Sequence, residues 1–213
     1  YNANGKLGVA AGLVYGMNPA YDVTNDSGTS KKTFSPSDMQ INAGISYRFM
    51  PYLSVGANIG YATQSLAPEV SYGSVTADVF AMAKFSDYRV TAGVANLGSG
   101  VKSSNGTKWG LPASAALGLG YGKQFAEVHG VDAMLDLDYF FKGGVAASFG
   151  ASYTYNDLAV VRVGYRYGGN TVIPSYASVG VGVKFMGIKF DLAYLVGSKT
   201  LGNTLALSLG YTF

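Results

Sequence analysis

The chain has 213 residues with 30 Gly, 17 Tyr and no Cys, and only 13% of its residues are charged. That charged fraction is about half of what soluble domains carry. The missing cysteines exclude a disulfide scaffold and a thiolate metal site, and a net charge of +3 is too small to point to nucleic acid. No run of about 20 apolar residues occurs, so no transmembrane helix is expected.

From its start the chain instead alternates with a period of two. The first strand, about 6–16, sets Leu7, Val9, Ala11, Leu13 and Tyr15 on one face and Gly8, Ala10, Gly12 and Val14 on the other. The second, about 37–49, opposes Met39, Ile41, Ala43, Ile45, Tyr47 and Phe49 to Gln40, Asn42, Gly44, Ser46 and Arg48. The third, 53–63, carries Leu53, Val55, Ala57, Ile59 and Tyr61 on its apolar face. Further strands are predicted at about 73–85, 88–96, 112–122, 129–141, 145–155, 159–168, 175–185, 188–197 and 203–213. Each is long enough to cross a hydrocarbon layer at a tilt. The last sets Leu205, Leu207, Leu209, Tyr211 and Phe213 against Ala206, Ser208, Gly210 and Thr212. Such an ending is a C-terminal signature of a membrane barrel.

Twelve two-faced strands predict an all-β, antiparallel transmembrane β-barrel formed by residues 1–213 as one domain, in a bacterial outer membrane. A soluble sandwich or lipocalin-like barrel is the alternative. It would expose stretches such as Ala146, Ser148, Gly150 and Ser152 with few charges to keep the surface soluble. Tight turns are expected at Ser86-Asp87, Met186-Gly187, Met50-Pro51-Tyr52 and Asn156-Asp157-Leu158, and the alternate connections are mostly longer, Lys142-Gly143-Gly144 being a tight exception among them. Longer connections are expected at 17–36, 64–72, 97–111, 168–174 and 197–202. Short turns belong in the periplasm and long loops outside the cell, which makes both termini periplasmic. Phe49, Tyr52, Phe85, Tyr88 and Phe185 then form one aromatic girdle, and Tyr15, Tyr61, Tyr139 and Phe141 the other. The chain begins at Tyr1 and an outer-membrane protein must be exported, so its signal is expected to have been removed or left out.

Charge concentrates on the parity opposite the apolar side chains. Asp78, Arg89, Asp132, Asp136, Asp138, Arg162, Arg166, Lys184, Lys189 and Asp191 are the candidate lumen-lining polar residues. They either brace the barrel interior or line a polar path. Asp132, Asp136 and Asp138 form a ladder along one strand, which fits calcium's wrapped oxygen cage poorly. The one histidine, His129, belongs near a periplasmic turn, and no catalytic constellation is visible, so no enzyme activity, metal or cofactor is expected. Trp109, in a long loop, either packs there or stacks on a ligand.

At 89–98 the chain reads Arg-Val-Thr-Ala-Gly-Val-Ala-Asn-Leu-Gly; a loop follows, and Leu111-Pro112 opens the next strand. With Val161-Arg162-Val163-Gly164-Tyr165-Arg166, Phe190-Asp191-Leu192-Ala193-Tyr194 and Leu201-Gly202-Asn203-Thr204, this resembles the PorV/PorQ family of Bacteroidetes outer-membrane proteins, a branch similar to the FadL-type transporters. The resemblance covers roughly residues 6–213. It implies either a fourteen-stranded parent with an N-terminal plug, of which about twelve strands are visible here, or a genuine twelve-stranded relative. It implies a monomeric barrel in outer-membrane lipid, with protein partners from type IX secretion. Cargo binding at the cell surface is the first expectation. FadL-like uptake of hydrophobic molecules through a plugged barrel with a lateral opening is the alternative, and a porin-like or structural barrel is the third.

Overall fold

The computed structural model describes all residues except Tyr1, Asn4, Asn25, Thr29, Glu69, 103–107, 170–173, 198–201 and 212–213. Twelve long strands run through it: β1 (Leu7–Met17), β2 (Ser37–Met50), β3 (Leu53–Ala67), β4 (Val70–Phe85), β5 (Tyr88–Gly98), β6 (Ser114–Phe125), β7 (His129–Phe140), β8 (Gly144–Tyr155), β9 (Ala159–Tyr167), β10 (Tyr176–Phe185), β11 (Ile188–Val196) and β12 (Thr204–Tyr211). They are hydrogen-bonded in sequence order, and the short strand Asn2–Ala3 pairs with the start of β1. Phe213, the last residue of the C-terminal signature, lies outside the described residues.

The described chain falls into two compact units. The first comprises Tyr1–Ala81 and Gly93–Ala113. In it β1 pairs with β2 from Leu7↔Tyr47 to Met17↔Ser37, and β2 with β3 from Ser37↔Ser65 onward. Two small hairpins rise from its connections, Tyr21–Thr24 with Ser30–Phe34 and Val101–Lys102 with Lys108–Trp109. The second unit comprises Met82–Ala92 and Ser114–Phe213. There β6 to β11 each pair with the next strand without a register shift.

Turn chemistry explains where the strands reverse. Asn156 and Asp157 both take positive φ, as do Met186 and Gly187, the backbone shape of a tight primed hairpin. Asn, Asp and Gly adopt it easily, whereas Met186 does so against its steric preference. One expected loop is corrected. Residues 64–72 are not a long connection, because β3 continues to Ala67 and β4 starts at Val70, leaving a turn at Pro68.

Burial is inverted relative to a water-soluble protein. Among the described residues Ala146 is the only buried hydrophobic one, and no large side chain is fully buried. Leu205, Leu207 and Leu209 are 61, 65 and 78% exposed, while Ile45, Ile59, Leu117, Val161, Val181 and Phe185 are exposed in the same way. A soluble sandwich would bury these ridges, so an apolar solvent must cover them. The aromatic residues at the strand ends share that surface. Tyr139 stacks edge-on with Phe141 at 6.0 Å between ring centroids, and Tyr47 with Phe49 at 4.9 Å. His129 joins them: its Nδ1 lies 2.6 Å from the Tyr153 hydroxyl, and its ring stacks on Phe125 at 5.7 Å.

The two faces of β12 can be tested separately. Leu207→Arg is expected to lower the unfolding free energy by about 2–4 kcal/mol in a bilayer. Ser208→Arg, one residue along on the opposite face, should change it by less than about 1 kcal/mol. Urea titration of the barrel refolded in lipid vesicles measures both, and equal losses would refute the assignment of faces.

Candidate functional site

The charged residues on the polar parity meet in the second unit through one recurring arrangement. Arg89 on β5 bonds Asp132 on β7, passing over β6. Arg166 on β9 reaches Asp138 on β7 at 3.0 Å, passing over β8, where its Nη1 also donates to Ser148 Oγ at 3.0 Å. Arg162 on β9 reaches Asp191 on β11 at 2.6 Å, passing over β10. Strands stand about 4.8 Å apart, so each pair spans roughly 10 Å of backbone, within reach of an arginine and an aspartate together.

The strand that is passed over carries a small residue at the crossing. A Cβ on Gly120 would sit 3.0 Å from Arg89 Nε, and one on Gly122 would sit 2.8 Å from Asp132 Oδ2. At Gly182 a Cβ would collide with Asp191 Oδ1 and lie 3.1 Å from Arg162 Nη1. Glycine is needed there for space. Charges turned to lipid would cost about 2–4 kcal/mol for each Arg or Lys near the midplane. Here they neutralise one another on the polar face instead.

The remaining members are placed differently. Asp136 lies over Gly118, whose Cβ would strike its Oδ1. Lys184 and Lys189 are direct cross-strand partners and line a cavity of about 380 Å³ with Asp157, Arg162 and Asp191. Asp78 belongs to the first unit. It accepts from Asn58 Nδ2 at 2.9 Å and from the backbone N–H of Asn96 at 2.7 Å. Asn96 has φ +55, and its Nδ2 donates to the Pro112 carbonyl at 3.3 Å. Gly98 packs against the Val75 carbonyl and Leu111. The Asn96-Leu97-Gly98 and Leu111-Pro112 motifs therefore meet at the end of β5, where Asn96 takes a left-handed backbone within the strand.

The first unit also holds a cavity of about 740 Å³. Its polar wall comes from two neighbouring rows of the ladder, Gly16–Asp38–Gln64 and Val14–Gln40–Ala62. Its apolar wall is Leu66, Tyr72, Val101, Trp109 and Leu111. Trp109 meets Tyr72 edge-on with ring centroids 6.2 Å apart. Ser74 Oγ donates to the Gly100 carbonyl at 3.1 Å, fixing the Val101–Trp109 hairpin to β4. Tyr21 donates to the Leu66 carbonyl at 3.0 Å, which ties the other hairpin to β3. The volume and composition are those of a small-molecule site.

Sequence reasoning named Trp109 as one of two possibilities and did not assemble this cavity. Two signals were present. Val14 is the one branched residue among Gly8, Ala10 and Gly12 on its face, and Tyr72 shares parity with Asp78.

No family model and no curated protein matches the chain. Solved structures do. The Ralstonia pickettii toluene transporter TbuX superposes with a TM-score of 0.62 at 13% identity, over 99% of this chain and 79% of that one. The Pseudomonas putida toluene transporter TodX gives 0.57 at 16% identity, over 89% and 73%. A Pseudomonas aeruginosa FadL homologue gives 0.51 at 13%, over 98% and 73%. At such identities the likeness shows the fold. The chain is an all-β, antiparallel transmembrane β-barrel of the bacterial outer membrane. One of these three is a FadL homologue and two are toluene transporters; PorV or PorQ is not among them.

The crossing rule yields a paired test. Gly182→Val should wedge between Arg162 and Asp191 and destabilise the barrel by about 1–3 kcal/mol. Gly150→Val, where a Cβ would meet nothing closer than 3.9 Å, should be tolerated within about 0.5 kcal/mol. Urea midpoints in lipid vesicles decide it, and equal effects would overturn the rule.

Proposed function

We propose that this barrel binds hydrophobic small molecules in the Trp109 cavity and admits them across the outer membrane. One observation carries the reading: an apolar wall of Leu66, Tyr72, Val101, Trp109 and Leu111, held by the two loop hairpins on the polar-parity face of the strands. Lipopolysaccharide hinders hydrophobes, so a route needs an apolar binding surface, and this cavity supplies one. Two of the superposed structures are transporters of toluene, an uncharged hydrophobe, which supports the same direction. Binding rests on burial at about 25 cal/mol per Å² of apolar surface, with the indole and phenol rings offering edge and face contacts. No step of bond making is required, and the protein acts as a non-enzymatic carrier path. A lateral exit between strands, as the FadL likeness implies, belongs to this proposal.

The secretion-associated reading rests on the PorV/PorQ-like motifs. Asn96, Gly98 and Pro112 hold the end of β5, a task that either function would need. Retention of a secreted protein through native extraction would favour that reading over uptake.

Uptake is measured directly. A strain lacking the protein should accumulate a labelled aromatic hydrocarbon several-fold more slowly than its parent, and Trp109→Ala should weaken binding to the purified barrel about tenfold. Accumulation unchanged by the deletion would end the proposal.

A further inference from the structure

The cavity is not uniformly greasy. Of the described residues that line it, Asp38 is the sole charged group, and its neighbours along the rows are the amides Gln40 and Gln64. Asn18 Nδ2 is 3.4 Å from Asp38 Oδ2, and Gln40 Nε2 donates to Asn42 Oδ1 at 3.3 Å. A carboxylate so placed accepts hydrogen bonds and attracts positive charge. It has no means of neutralising a second carboxylate, and two such groups a few ångströms apart repel one another.

Resting on the uptake reading, we infer that this site selects its hydrophobes by head group. It takes an apolar body on the Trp109 and Tyr72 wall with a cationic or hydroxyl head at Asp38, and it rejects carboxylate-headed hydrophobes such as fatty acids. The apolar body gains burial against either kind of head, so discrimination comes from the polar end alone. Asp38 stands directly across the ladder from Gly16, where a Cβ would lie 3.7 Å from its Oδ2. That glycine leaves the carboxylate uncovered on the cavity side.

The chain contains one tryptophan, at the wall of the cavity, so its fluorescence reports occupancy without a label. Purified barrel in an uncharged detergent is titrated at neutral pH with three heavy-atom quenchers of one skeleton: 4-bromobenzyl alcohol, 4-bromobenzylammonium and 4-bromobenzoate. The last two carry equal and opposite charge, so unequal partition of ions and neutral molecules into micelles does not bias their comparison. Saturable quenching is expected for the alcohol and the ammonium, with the ammonium at least about tenfold tighter than the benzoate. Asp38→Asn, nearly isosteric, should bring that ratio to about twofold or less, and Gln64→Glu should widen it. Benzoate binding as tightly as the ammonium, or a ratio that Asp38→Asn leaves unchanged, would overturn the head-group selection while uptake stands. Absence of saturable quenching by all three would bring down the uptake reading, and the selectivity with it.

Discussion

A polypeptide in hydrocarbon has no water to satisfy its backbone, so each N–H and C=O must find a partner within the protein. Long antiparallel strands meet that demand by pairing with their neighbours, and nearly everything else in this chain follows from it. Pairing fixes the parity of each side chain, since consecutive residues point to opposite faces. One face must then satisfy acyl chains and the other a polar interior. Leu205, Leu207 and Leu209 answer the first requirement, while Asp132, Arg162 and Asp191 answer the second.

The strands were legible because two solvents impress the same period on the sequence. Where that contrast ends, so did legibility. Residues 64–72 carry Gln64, Ser65, Pro68 and Glu69 and look like a loop, yet β3 and β4 continue nearly to the turn. Beyond the hydrocarbon layer the period no longer has a cause. The signs of the inward charges could be read, but their partners could not. Arg89, Arg162 and Arg166 each skip a strand, and that choice depends on which residue of the skipped strand is small. The cavity was hidden for a third reason. It joins strand positions to the Val101–Trp109 hairpin, and a short loop hairpin shows no periodicity that announces its position.

The two units divide the chemistry of the polar face. The second carries the crossing ion pairs, with glycine and serine giving each arginine room to lie down. The first is sparing with charge and spends its space on a cavity. Asp38 and Asp78 are both on its polar parity, and they serve unlike ends. Asp38 faces the cavity. Asp78 is consumed by two structural hydrogen bonds, from Asn58 and Asn96.

That last arrangement reaches further than its position suggests. Asn96, with a left-handed backbone inside β5, donates to the Pro112 carbonyl, and Gly98 lets Leu111 settle beside Val75. Leu111 in turn walls the cavity beside Trp109. A carboxylate outside the cavity thus helps to place one of its walls. Under the uptake proposal, random mutagenesis scored on binding alone would group Asp78 and Asn96 with Trp109, although neither lines the cavity.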